Sequence, residues 1–513
     1  MSVTTARSDS PTSVRWHPIV ALVLLAIGAL NLINIATPWG IGASPDSVAY
    51  IRQARVLSEG GSVLGMGTQW PPLYPLILAG TAAISGDPFL GARWLHALLF
   101  CVNVALFGVL LLRTTESRWI AVGGVLLLVS ARPILTVHAF AWSEPAFLLL
   151  VMLSLALLAV HLSGPRPSVL ALAAILTGLA CLTRYAGMPL MLVGATLLLF
   201  RRAPVFKKPL AEATLFVGVA LALPAAWFAG VLAAGGSASR ALAFHPLGHA
   251  QLWQAVFTVT GWLHAPATTP GAVRLLLLGL LLLAGGAVLF WRRRTLLAPT
   301  WRAAFMRLLL LFVLYYLGFL ALSISFLDAN TPLDDRILAP VYVTGLFLAM
   351  AGAGRLAQTA NRPLLRRAVS ATLGLFLIVQ LATAASWLRE QRSTGLGYSS
   401  PVWLQSATLE AVRALPADVD IFSNAPEAIN LLAGREALSL PRKNAAMLGE
   451  RNAGYEDDIA ALQQALETGA VLVYFDAVAN RPVVSLPELE ERMSLTVADR
   501  LPDGALYVAG SRE

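Results

Sequence analysis

Charge is what this sequence is short of. Asp, Glu, Lys and Arg make up only 13% of its 513 residues, while 57% are hydrophobic. Soluble domains usually carry about 25% charged residues. A chain this poor in charge has more apolar surface than one water-facing core can hide, which points to a polytopic membrane protein. Cysteine is scarce as well. Cys101 and Cys181 are the two present, both inside apolar runs, so they form neither a disulfide framework nor a metal site and read as small buried hydrophobes. The sequence lacks a fixed-period repeat and a low-complexity tract. No clear small-x-small cleavage site follows the first apolar run at 19–35, so that run reads as an uncleaved first helix.

What the sequence does have is long apolar runs. A helix needs about 20 apolar residues to cross the hydrocarbon. Eleven runs are candidates: 18–38, 92–112, 118–137, 144–162, 167–183, 185–200, 210–233, 271–290, 306–327, 337–354 and 367–387. The segment 73–84 is too short and proline-rich for a span and is expected to lie as a helix on the outer surface. With the N-terminus inside, 18 Lys and Arg fall in inner segments and 8 in outer loops; the other 11 of the 37 follow the last span. This bias fits the positive-inside rule. About half of the positive charge, 18 of 37 Lys and Arg, thus lies at inner membrane-facing segments, and the run "WRRRT" at 291–295 reads as an inner anchor, not a nucleic-acid patch.

The chain changes character after Trp387, where 18 of its 28 acidic residues lie. "VDIFSN" and "AVLVYFD" read as buried strands, and "PEAINLLAG" and "YEDDIAALQQALETG" as helices closed by glycine. No glycine-rich phosphate fingerprint occurs in this tail. The expected fold is an α-helical polytopic membrane protein of about 11 transmembrane helices with a small C-terminal α/β domain. The expected segments are a cytoplasmic tail at 1–17, a transmembrane domain at 18–387 with an outer loop at 39–91, and an extracytoplasmic α/β domain at 388–513.

The outer loop is where chemistry concentrates. In "SPDSVAYIRQARVLSEGG", Ser44 can cap a helix, Pro45 suits its first position and Asp46 falls in its first turn. Asp46, Tyr50 and Gln53 then share one face, and Arg52 and Arg55 a neighbouring one. Glu59 and two glycines end the helix, and "WPPLYP" opens the next segment, with Trp70 and Tyr74 suited to the headgroup region. Asp46 either favours its helix dipole or meets a lipid headgroup from one side and a soluble molecule from the other.

Other polar residues are expected on the same side. Arg184 and Tyr185 in "LTRYAG" fall between two spans, where an arginine either snorkels or binds phosphate as a forked donor. Glu144 in "WSEPAF" starts a span after a possible Ser143 cap, as a dipole-favouring acid or a second site carboxylate. Arg336, in "NTPLDDRILAPVY", is a second candidate phosphate cation; Asp334 and Asp335 beside it read as a solvated loop or arginine partners rather than a metal site. His245, His249 and His264 in the loop 234–270 read as ordinary loop histidines, since no Glu stands in the frame a zinc helix needs and Pro246 intervenes.

A first span, then Asp-x-x-x-Tyr on an outer helix, then Pro-Pro-Leu-Tyr opening a second segment, resembles the GT-C class of membrane glycosyltransferases, nearest the protein-mannosyltransferase and aminoarabinose-transferase-like group. The likeness covers residues 18–200 and extends loosely to 390. It implies transfer of a hexose or pentose from a polyprenyl-phosphate sugar to a hydroxyl of a glycan, lipid or protein acceptor, without metal or other cofactor. Asp46 would be the catalytic base, with Glu144 as a further catalytic carboxylate. Tyr50, Arg52, Arg55, Gln69, Trp70, Tyr74, Arg184, Tyr185 and Arg336 would line the substrate site. The sequence departs from its relatives at Ser47, where an acid often stands, and at Gln69 and Trp70, where the aminoarabinose enzymes carry Glu-Lys. The same resemblance implies a bacterial inner-membrane location with the site facing out and membrane lipids as partners. A polytopic transporter or lipid flippase is the alternative; it would usually carry ionisable residues in mid-span, whereas the polar residues here gather at one face.

Overall fold

The computed structural model describes residues 16–200, 209–236, 243–359, 363–444, 451–478 and 482–510. The expected N-terminal tail up to residue 15 and the basic segment 201–208 lie outside the described residues. Among the described residues fifteen α-helices precede the tail: α1 (Trp16–Ala36), α2 (Pro45–Ser58), α3 (Leu73–Ser85), α4 (Pro88–Thr115), α5 (Arg118–Val129), α6 (Arg132–Ala139), α7 (Glu144–Ser163), α8 (Pro167–Thr183), α9 (Met188–Leu199), α10 (Pro209–Ala233), α11 (His249–Gly261), α12 (Gly271–Leu296), α13 (Trp301–Phe326), α14 (Ala339–Thr359) and α15 (Pro363–Thr394).

In lipid every backbone polar group must be satisfied within its own segment, so apolar runs become helices. Among the described residues seven helices, α1, α4, α7, α10, α13, α14 and α15, are long and apolar enough to cross a membrane. The chain is an integral membrane protein. The run expected at 118–137 is not one straight span. It breaks into α5 and α6, bent by 56°. Pro133 lacks the N–H that would have bonded the Val129 carbonyl, so the ladder of α5 cannot continue through it. The three remaining expected runs form the shorter apolar helices α8, α9 and the first part of α12. The segment 234–270, read from sequence as a loop, contains α11, a thirteen-residue helix too short to register as a span.

Successive helices bring two sets of connections to opposite rims of the bundle. One rim gathers the α1–α2, α6–α7, α8–α9 and α13–α14 connections and the end of α15. Backbone bridges tie it together: Gly42 pairs with Phe140, and Ala43 with Gly397. At the other rim Glu116 pairs with Arg302, and the Arg113 guanidinium lies 4.6 Å from the Trp301 ring centre.

Beyond α15 the chain folds into a five-stranded sheet: β1 (Ile421–Ser423), β2 (Leu438–Ser439), β3 (Val471–Phe475), β4 (Leu495–Leu501) and β5 (Gly504–Ala509). Its order is β2-β1-β3-β5-β4, with β2, β1 and β3 parallel and the β4–β5 hairpin antiparallel. Helices Ala407–Ala414 and Tyr455–Glu467 pack against it. The Asp503 carboxylate fastens the hairpin to the first of these, accepting from Ser406 Oγ and from Thr408 N and Oγ1 at 3.1 and 2.8 Å.

This domain is not a separate body. Val48, Tyr50, Ile51 and Ala54 of α2 share one buried apolar cluster with Leu409, Val412, Ile421, Ala425, Ala428, Ile429 and Phe475 of the tail. Burying side chains of that size stabilises by roughly 1.5–3 kcal/mol each for the larger ones. The tail domain therefore presses α2 onto the membrane bundle.

Candidate active site

The site begins with the cap of α2. Ser44 stands extended at the N-cap, its Oγ 3.4 Å from the Ser47 amide, and Pro45 takes the first helical position. That start sets Asp46 at the rim of the bundle, partly exposed, and turns Tyr50 inward, 2% exposed. The Trp142 indole N–H donates to Ser44 Oγ at 2.8 Å, tying the cap to the α6–α7 connection.

Four charged groups from four separate segments meet here. Arg336, just before α14, donates from Nη1 to Asp46 Oδ2 at 2.5 Å and from Nε to Glu144 Oε1 at 2.6 Å. Arg184, at the end of α8, donates to the same Glu144 Oε1 at 2.5 Å. Its Nη1 also lies 3.1 Å from Ser143 Oγ. Glu144 is 1% exposed, and its second oxygen has no hydrogen-bond partner among the described residues. The Arg336 guanidinium stacks over the Trp142 ring, 4.3 Å from its centre. Burial pulls the Arg336 pKa down, and the Glu144 and Asp46 carboxylates more than reverse that, so it stays charged. Two carboxylates face two arginines, one acid deeply buried and the other partly exposed.

Aromatic rings back this cluster. Tyr50 meets Trp70 and Tyr74 edge-on, with ring centres 5.3 and 5.1 Å apart. Its hydroxyl lies 3.4 Å from Ser143 Oγ, and burial pushes its pKa up to about 12, which keeps it a donor at neutral pH. Tyr74, expected at the headgroup level, turns inward instead, while Trp70 is half-buried against Tyr50. Tyr74 is fully buried because its hydroxyl finds a partner in His96 Nε2 at 2.7 Å. Ser143, expected as a helix cap, makes no cap bond; its hydroxyl faces Tyr50 and Arg184.

Not every expected residue joins the cluster. Arg55 donates from Nε to Asp87 Oδ2 at 2.8 Å, and Asp87 caps α4, so this pair ties the end of α2 to the start of α4. Arg52 and Gln69 are exposed. The Tyr185 hydroxyl donates to the Thr68 carbonyl. Asp334 caps the turn before α14 through the amides of Arg336 and Ile337, both at 3.0 Å, and Asp335 accepts from the Trp262 indole at 2.9 Å. His249 accepts the Trp253 indole N–H at 2.6 Å. Trp142 and Ser143 were missed as site residues although they adjoin Glu144; an aromatic and a hydroxyl beside an acid at a span start were the available signal. His96 and His138 also went unread. His96 Nδ1 and the His138 carbonyl lie 3.1 Å apart inside the bundle, and single histidines in apolar runs give no sequence signal of such a contact.

Residues 69–228 match the family profile of dolichyl-phosphate-mannose-protein mannosyltransferase. The crystal structure of ArnT from Cupriavidus metallidurans in the apo state superposes with a TM-score of 0.58 at 15% identity, over 96% of this chain and 99% of that one. The chain has a GT-C fold. Two further solved structures align more weakly. The S. cerevisiae protein O-mannosyltransferase Pmt1–Pmt2 complex bound to the sugar donor aligns at TM-score 0.35 and 16% identity, over 44% of this chain and 34% of that one. Arabinosyltransferase EmbB from Mycobacterium smegmatis aligns at TM-score 0.39 and 16% identity, over 77% and 43%. No curated protein matches the chain in sequence.

Proposed function

We propose that this GT-C protein is a membrane glycosyltransferase that moves a sugar from a polyprenyl-phosphate donor to an acceptor hydroxyl at the outer face of a bacterial inner membrane. One observation carries the reading: Asp46, Glu144, Arg184 and Arg336, distant in sequence, meet at one rim. Buried arginines suit a departing phosphate, and a solvent-accessible carboxylate suits a hydroxyl that must lose a proton.

Arg336 bridges both acids. A donor phosphate competes for Arg336 and Arg184 and so releases Asp46. Asp46 then takes the acceptor hydroxyl proton as that oxygen bonds the anomeric carbon. The bond from the anomeric carbon to the phosphate oxygen breaks, its electron pair leaving with the polyprenyl phosphate, which the two arginines hold. Glu144 orients both arginines by one oxygen. Tyr50 and Ser143 fix the wall behind them. The missing acid at Ser47 and missing cation at Trp70 are thus replaced by residues from other segments.

The test is mass spectrometry of cell-envelope glycans with and without the protein. A sugar mass that disappears on deletion and returns with the wild-type chain supports the assignment. Identical glycans in both strains would remove it.

A further inference from the structure

A glycine-rich strap is fastened to Tyr185, the residue after Arg184. Residues 60–69 link α2 to α3 and carry Gly60, Gly61, Gly65 and Gly67, with Gly60 and Gly67 at φ of 90° and 67°. The strap is fastened at two points. The Thr68 carbonyl accepts the Tyr185 hydroxyl. Leu64 packs on α10, its side chain 2.9 Å from where a Cβ of Gly230 would stand. Gly230 lies three residues after Trp227, on the same face of α10.

Trp227 is 7% exposed, and its indole N–H is sealed from solvent with no acceptor among the described residues. An indole can only donate, so a buried one usually finds an acceptor. The ring stands with Phe228 and with Tyr185, the residue that follows Arg184, their centres 5.0 and 6.5 Å away. An aromatic wall with one idle donor matches a sugar ring, which offers apolar C–H faces and hydroxyl oxygens. An isoprenoid chain offers no acceptor, and the phosphate belongs to the arginines.

We infer that Tyr185 and Trp227 form the subsite for the sugar of the lipid-phosphate donor, and that the strap 60–69 occupies it when empty and gives way on binding. The inference rests on the proposed glycosyl transfer and names where its sugar sits. Leu64 and Trp227 then act in opposite directions: Leu64 holds the closed strap, and Trp227 holds the ligand.

The experiment measures binding of undecaprenyl phosphate and of its mannosyl, glucosyl and arabinosyl phosphodiesters to the purified full-length chain in nanodiscs. At least one phosphodiester should bind wild type more tightly than undecaprenyl phosphate does. Trp227→Phe should weaken that phosphodiester about five- to tenfold and leave undecaprenyl phosphate unchanged, the loss of one hydrogen bond. Leu64→Ala should tighten it, because less of the population holds the closed strap. Equal loss of both lipids with Trp227→Phe, or no phosphodiester preferred over undecaprenyl phosphate, overturns the sugar subsite. Unchanged or weaker binding with Leu64→Ala overturns the strap. Arg184→Ala separates the two readings: if undecaprenyl phosphate binds it as well as wild type, the phosphate site fails, while the Trp227 comparison is still read from the phosphodiesters.

Discussion

The two rims of the bundle use arginine in different ways. At one, Arg302 meets Glu116, which is 69% exposed, and Arg113 and Arg118 lie over Trp301 and Trp119. Those cations face water or headgroups, and each such pair contributes little. At the other rim Arg184 and Arg336 are 16% and 15% exposed and converge on a carboxylate that is 1% exposed. Removing so many charges from water is costly, and apolar residues of similar size would often stabilise more. Buried charge clusters are places where functional groups often concentrate, and the proposed transfer chemistry rests on this one.

Substitutions can break this contrast. Arg336→Ala should have the largest effect, because it strips Asp46 and Glu144 of their shared cation. Glu144 keeps Arg184 and Asp46 is 31% exposed, so a stability loss near the lower end of the roughly 3–5 kcal/mol of a broken buried pair is expected, read from thermal melting in detergent. Glu144→Gln keeps the shape but removes the charge both arginines share, and should cost about 1–3 kcal/mol. A result for Glu144→Gln within the noise of wild type would make the cluster no different from a surface pair. Gly397→Ala probes the join between tail and site. Gly397 has φ of +55°, and a Cβ there would meet the Ala43 carbonyl at 2.1 Å. A loss above about 1 kcal/mol is expected, together with reduced transfer, since Ala43 leads directly into α2. Glu116→Gln at the opposite rim should change melting by less than about 1 kcal/mol and leave transfer intact.

Much of the transmembrane layout was legible because lipid permits few solutions. Apolar length marks the spans, and Ser44-Pro45-Asp46 marks a helix start by capping chemistry alone. The bend at Pro133 was readable in principle from the missing N–H, but the apolar run hides it. Strand β4 went unseen because most of its residues are exposed and carry no alternating pattern. The site was legible as residue types and illegible as pairings. Asp46 and Arg336 are 290 positions apart, and nothing local to either names the other. Local spacing put Arg52 and Arg55 near Asp46, but along the helix Arg52 turns to solvent and Arg55 to Asp87. Tyr74 turned inward because His96 was there to receive its hydroxyl, and a sequence pattern cannot supply that partner.

Asp46→Asn tests the central claim most directly, measured as single-turnover sugar transfer from a native extract of polyprenyl-phosphate sugars, with donor binding followed in parallel. The amide keeps the size of the side chain and cannot accept the proton. Transfer should fall by about 10²–10⁴-fold while donor binding is retained or strengthened, since Arg336 is freed for the phosphate. Transfer at the wild-type rate would contradict the account.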